Sequence, residues 1–212
     1  MRKLIAAAII CTFFSFSPCN HNSKDGWIPL FDGKSLDGWK VGANANTFSI
    51  ENGAIAVNGN VAHLFYNGEV QQHSFRNFEF RADVMTMPGS NSGIYFHTQY
   101  QESGWPQKGY EAQVNNSHTD WRRTGSLYAI QDVKEVYVKD GEWFTEQIIV
   151  QGKKITVKIN DKTVVEYTEP GNPQREEGMK GRVLSTGTFA LQGHDPKSKV
   201  LYKNIRVKVL PD

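Results

Sequence analysis

Cysteine is nearly absent. The 212 residues hold two, Cys11 and Cys19, both before residue 20. The rest of the chain therefore has no disulfide and no thiolate ligand, and thiol catalysis is excluded. An excess of one charge is missing too. The formal net charge is +2, and without Arg2 and Lys3 the remaining 22 basic residues balance 22 acidic ones. A neutral domain has no electrostatic reason to bind nucleic acid or an acidic membrane surface, so its partners are expected to be uncharged. After residue 24 no useful stretch carries apolar residues at helical spacing. Also missing are a Gly-x-Ser-x-Gly elbow, a phosphate-binding glycine loop, a His-Glu-x-x-His pair and zinc-type cysteine spacing.

What is present begins with an export signal over residues 1–19. Arg2 and Lys3 form a basic start, and Leu4 to Phe16 is an apolar run of signal length, too short to span a bilayer. A cysteine at position 19, before the polar stretch Asn20 to Lys24, fits lipoprotein processing and a membrane anchor on Cys19. Pro18 departs from the small residue usual before such a cysteine, so cleavage without an anchor is the alternative. The expected location is the periplasm or outer membrane. Residues 20–26 read as a linker and 27–212 as one domain, large enough to bury a full core without staples.

Within that domain, period-2 alternation recurs. Phe78, Phe80, Ala82 and Val84 alternate with Glu79, Arg81 and Asp83; Ile155, Val157 and Ile159 with Thr156, Lys158 and Asn160; Ile205, Val207 and Val209 with Arg206 and Lys208. Such segments are strands with one wet face. Glu51-Asn52-Gly53 predicts a hairpin joining Phe48–Ile50 to Ala54–Val57. Gln151-Gly152-Lys153 and Asn160-Asp161-Lys162 divide a three-strand meander from Glu146 to Tyr167. The many short strands predict an all-β, two-sheet antiparallel sandwich of the jelly-roll type. Glu169 to Lys180, with Pro170, Gly171, Pro173 and Gly178, reads as a polar loop.

Three strands carry the chemistry. In Gly93–Gln99, Ile94 and Phe96 take the core face while Tyr95, His97 and Gln99 take the other. In Tyr110–Asn115, Glu111, Gln113 and Asn115 lie opposite Tyr110, Ala112 and Val114. In Thr188–His194, Ala190, Gln192 and His194 lie opposite Phe189 and Leu191. Side by side, these strands would present one surface of Tyr, His, Gln, Glu and Asn without the Lys/Glu mixture of a merely solvated face. Planar amides donate and accept together, which suits a hydroxyl-rich ligand. Trp39, Trp105 and Trp121 lie in or beside glycine-rich loops, where an indole can stack on a sugar ring. Singly, each has a plainer reading. A strand histidine is most often a satisfied surface residue, Glu111 alone is a solvated acid, and Trp39 is a core anchor. His63 and His73 carry no assignment, and His118 in its loop is a ligand, a base or neither. The Glu-x-Asp-x-x-Glu pair of many lectin-like glycosidases is absent, which leaves ordinary two-carboxylate hydrolysis without support.

Leu30-Phe31-Asp32-Gly33-Lys34-Ser35-Leu36-Asp37-Gly38-Trp39 resembles the opening motif of the 3-keto-disaccharide hydrolase domain family. Asn91–Phe96, Gly109–Val114, Thr124–Tyr128, Gly187–Asp195 and Tyr202–Val207 match it in order, so the resemblance runs from about Trp27 to Leu210. It implies a concanavalin-like sandwich acting on glycosides already oxidised at sugar carbon 3, by hydrolysis or by 1,2-elimination and hydration. Glu111, Gln113, Gln192 and His194 sit on the motif positions carried over as pocket residues. A ketone at carbon 3 acidifies the carbon-2 proton, so a single base suffices. Glu111 or His97 is the candidate base; His194, Gln113 and Gln192 are candidates for holding the enolate or hydroxyls. Tyr95, Asn115, Tyr128, Trp105 and Trp121 complete the expected sugar site. No cofactor is assigned, and a divalent metal acting as Lewis acid is the one addition to consider, with His97, His118, Glu111 and Asp195 as its only plausible ligands. A non-catalytic carbohydrate-binding module is the competing reading, since the same face serves sugar capture.

Overall fold

The computed structural model describes residues 25–212; the proposed leader and Cys19 lie outside them. Thirteen strands follow in order: β1 (Ile28–Pro29), β2 (Trp39–Val41), β3 (Phe48–Glu51), β4 (Ala54–Val57), β5 (Ala62–Tyr66), β6 (Phe78–Thr86), β7 (Ser92–Thr98), β8 (Tyr110–Val114), β9 (Phe144–Gln151), β10 (Lys154–Ile159), β11 (Lys162–Thr168), β12 (Thr188–Gly193) and β13 (Val200–Val209). They form two antiparallel sheets. The larger runs β11-β10-β9-β6-β13-β4-β3, with β1 also paired to β13, and the smaller runs β2-β5-β12-β7-β8. The β3–β4 hairpin and the β9–β10–β11 meander stand where the turn residues placed them.

Alternation decides which face is buried. β6 alternates buried and half-buried residues along its whole length, as a strand with one wet face must. Its inward Phe78 and Phe80 meet Phe189 of the opposite sheet at ring-centroid distances of 4.8 and 4.6 Å. A phenylalanine enclosed this way is worth roughly 3–5 kcal/mol relative to alanine. Trp39 is an anchor, its Nε1–H donating to the Leu30 carbonyl at 2.8 Å and its ring edge-on to Tyr66. Glu146 is the exception in the core. It is fully buried on β9, and among the described residues neither carboxyl oxygen has a partner.

β12, β7 and β8 are neighbours in the small sheet, so the three polar faces do coincide. Phe65 pairs with Ala190, Ala190 with Tyr95, and Tyr95 with Glu111, forming one row on the face away from the core. In the next row His63 pairs with Gln192 and Gly93 with Gln113. Unlike the outer face of β6, this face is buried, because the loops after β7, β8 and β11 fold over it.

Candidate active site

Those loops enclose a cavity of about 440 Å³ over β7, β8 and β12. Of the residues singled out from the sequence, Glu111, His194, Tyr95, Gln113, Gln192, Trp105 and Tyr128 line it. Asn91, Asp120, Met179 and Arg182 join them. Trp105 is 46% exposed and forms part of the rim. Its indole rests on His63 and His194, at 5.6 and 5.4 Å between ring centroids. His63 is thus a prop beneath Trp105; burial, then the nearby His194, lowers its imidazole to about 3 and keeps it neutral.

Glu111 lies across the sheet rather than above it. Gly93 on β7 makes this possible, since a Cβ there would meet Glu111 Oε1 at 2.6 Å. The carboxylate accepts from Arg182 Nη2 at 3.0 Å and from Gln192 Nε2 at 2.6 Å. Arg182 also covers the Tyr95 ring, 5.4 Å from its centroid. Both members of the ion pair are buried, so removing either would strand a charge at a cost of about 3–5 kcal/mol.

Arg182 is the cavity cation that sequence reasoning missed. It comes from the connection over residues 169–187, of which only Glu169 to Lys180 reads as a polar loop in the sequence, with nothing assigned to Arg182. The length of the connection was the available signal, since loops beyond about 12–15 residues are usually functional. Arg175 ties the loop down, donating to Tyr110 and Tyr167 hydroxyls at 2.8 and 2.9 Å and, through Nε, to the Arg182 carbonyl at 2.7 Å. Glu169 accepts from the Tyr110 hydroxyl and from the Leu184 N–H. At Gly181 a Cβ would strike the Gln107 carbonyl at 1.8 Å, so the loop presses directly on the segment before β8.

Three expected site residues are elsewhere. His97 was expected beside Tyr95, but its backbone adopts φ 54° and the facing register breaks between Thr188 and Ala190. This bulge turns the imidazole away from the cavity. It packs edge-on against Phe78 at 5.6 Å, donates from Nε2 to the Arg76 carbonyl at 2.8 Å and accepts the Ser185 N–H at Nδ1. Burial lowers it to about 4. It lines a separate hollow of about 400 Å³ with Arg76, Ser185 and Asp212. Asn115 organises its own loop instead, donating to the Asp120 and Arg122 carbonyls at 2.9 and 2.8 Å. Trp121 lies outside the cavity, with the Arg122 guanidinium 4.9 Å and the Lys134 ammonium 5.3 Å from its ring centroid.

His194 is oriented for proton transfer. Its Nδ1–H donates to Asp195 Oδ2 at 2.8 Å, which leaves the lone pair on Nε2. Asp195 is held in turn by Ser198 Oγ at 2.7 Å and by the Lys197 N–H at 2.8 Å. Burial raises its carboxyl, but the bonds from Ser198, His194 and Lys197 outweigh that and hold it at about 2. Among the described residues, the ligand-capable atoms of His118, His194 and Asp195 lie within 4.8 Å of one another. As bonded here, each Asp195 oxygen accepts from a protein donor and His118 Nδ1 accepts the Asp120 N–H at 3.1 Å, which leaves His194 Nε2 as the ring nitrogen with a free lone pair. His97 and Glu111, the other ligands considered, are bound to protein partners.

Residues 26–208 match the family model described as a 3-keto-alpha-glucoside-1,2-lyase-like domain. A Bacteroides thetaiotaomicron protein named 3-keto-disaccharide hydrolase is 29% identical, the alignment covering 88% of this chain and 79% of that protein. Among solved structures, a candidate glycosyl hydrolase from Parabacteroides distasonis superposes with a TM-score of 0.75 at 24% identity, covering 88% of this chain and 95% of that one. A carbohydrate-binding module from Bacillus subtilis shares the fold with a TM-score of 0.57 at 13% identity, covering 81% of this chain and 95% of its own. With the family model spanning nearly the whole described sandwich, the chain belongs to the 3-keto-alpha-glucoside-1,2-lyase-like domain family.

Proposed function

We propose that the protein cleaves 3-keto-glycosides by single-base chemistry, with His194 as the base. The observation that carries this is the His194–Asp195 pair at a cavity whose acids are otherwise engaged. Glu111 is bound by Arg182 and Gln192, and Asp120 by Arg122. Neither is free to play the second carboxylate of an ordinary glycosidase. His194 Nε2 takes the proton from carbon 2. The C–H electrons form the enediolate, whose negative oxygen on carbon 3 is received by Arg182. Collapse of the enediolate breaks the bond from carbon 1 to the leaving oxygen, and the imidazolium returns the proton to that oxygen. The products are an alcohol and an unsaturated 3-keto sugar, to which water can then add. Glu111 holds Arg182 and Gln192 in place and touches no proton in this scheme. The same proposal has the chain exported, on the strength of Arg2, Lys3 and the apolar run before Cys19.

Incubation with 3-keto-trehalose or a methyl 3-keto-glucoside tests it. Product release is expected to fall by 10²–10⁴-fold in His194→Gln and little in His97→Asn. Unchanged turnover in His194→Gln would remove the assigned base. If the unaltered protein retains the keto sugar but releases nothing, the binding-module reading holds instead.

A further inference from the structure

Among the described residues, three polar atoms on the cavity wall are buried and have no protein partner: Gln113 Oε1, Gln192 Oε1 and Arg182 Nη1. All three residues are at most 6% exposed. Buried polar atoms are ordinarily paired, and because these three belong to residues that line the cavity, a bound ligand can supply the missing partners.

Amide oxygen and nitrogen are alike in shape, and only the surrounding bonds tell them apart. Here each amide is set by a group that cannot reverse. The Asp120 backbone N–H can only donate, and it reaches His118 Nδ1 at 3.1 Å. Nδ1 is therefore the bare nitrogen and Nε2 carries the proton. A bare Nδ1 accepts, so the Asn91 group 3.3 Å from it is the NH₂. Asn91 Oδ1 then faces Gln113 and accepts from its Nε2 at 3.1 Å. The carbonyl oxygen of Gln113 is what is left over. The second chain starts from Arg182, which also only donates. It takes one oxygen of Glu111, and the other oxygen takes Gln192 Nε2. Tyr95 shares that NH₂ at 3.2 Å, and the carbonyl oxygen of Gln192 is again the atom without a partner.

We propose that the Asp120 N–H, acting through His118 and Asn91, and Arg182, acting through Glu111, fix the hydrogen-bond polarity of the cavity. The cavity then selects a polyol that donates hydroxyl protons to both Gln113 and Gln192 while accepting from Arg182. This rests on the sugar-cleaving reading for the ligand class but not on the identity of the base. His118 becomes a positioning residue rather than a metal ligand.

Two measurements test it. Long-range proton–nitrogen NMR on the ¹⁵N-labelled protein is expected to show His118 protonated at Nε2 and His194 at Nδ1; His118 protonated at Nδ1 overturns the proposal. Calorimetry with the slow His194→Gln variant then compares methyl 3-keto-glucoside with its deoxy and deoxyfluoro analogues. Fluorine accepts but never donates, so at two ring positions both analogues should lose about ten-fold or more in affinity. Full affinity for every fluoro analogue overturns the proposal. His118→Phe frees Asn91 and Gln113 to rotate and should shrink the hydroxyl-to-fluorine ratio at one position only; an unchanged ratio there overturns the His118 relay. If the parent keto sugar fails to bind while the tautomers are as stated, the sugar reading falls and the fixed polarity stands.

Discussion

Glu146 shows how far one residue can stand against its surroundings. It occupies a position on β9 where Phe144, Ile148 and Val150 also face the core. Burial alone pushes its carboxyl well above the usual carboxylate range, so the side chain is neutral in the fold. An acid whose folded value is raised stabilises least where the unfolded chain is ionised, so its contribution is lost as pH rises above the ordinary 4.5. Glu146→Leu is expected to raise stability by about 1–3 kcal/mol, because it removes two unpaired buried oxygens. Glu146→Gln should flatten the loss toward alkaline pH without that full gain. Urea titrations of the three proteins at pH 5 and pH 8 check both.

At the scale of elements, the sheet and its covering loops divide the work. The strands were legible because their period of two is written in the residues: Tyr95, Glu111, Gln113 and Gln192 came out on one face from parity alone. Parity failed at His97, where a single residue at φ 54° inserts a bulge that no alternation rule foresees. It failed at Asn115 for a related reason, since that residue follows the end of β8 and its side chain serves the loop. Arg182 was illegible because its destination depends on how residues 169–187 dock, which is a tertiary matter. That docking leads to a prediction. Arg175→Met cuts the tie to Tyr110, Tyr167 and the Arg182 carbonyl. Turnover should drop on the order of 10²-fold, as expected when a positioned group shifts by about 1 Å. The two sheets should stay folded, so far-ultraviolet circular dichroism should remain unchanged. Amide exchange confined to residues 176–187 should quicken.

The whole molecule has an acid limit built from two histidines. His63 and His97 sit at about 3 and about 4, below the ordinary 6.5, chiefly because both are buried. A histidine lowered in the fold contributes fully above 6.5 and loses that contribution as pH falls toward its folded value, because the unfolded chain takes the proton first. For His97 the loss amounts to roughly 3 kcal/mol. Thermal melts from pH 7 to pH 4 should therefore show a falling midpoint, and His97→Asn should fall less steeply from a lower start. A parallel slope in the variant would mean that His97 is not the group titrating.

Gly93 has a reach beyond this chain. The absent side chain there leaves room for a carboxylate to lie over the strand and grip the arginine of the distant loop. A larger residue at the matching place would press on the Glu111 side chain, which would have to shift off the strand. Position 93 is thus a one-letter marker of whether the carboxylate can lie flat over its neighbour strand.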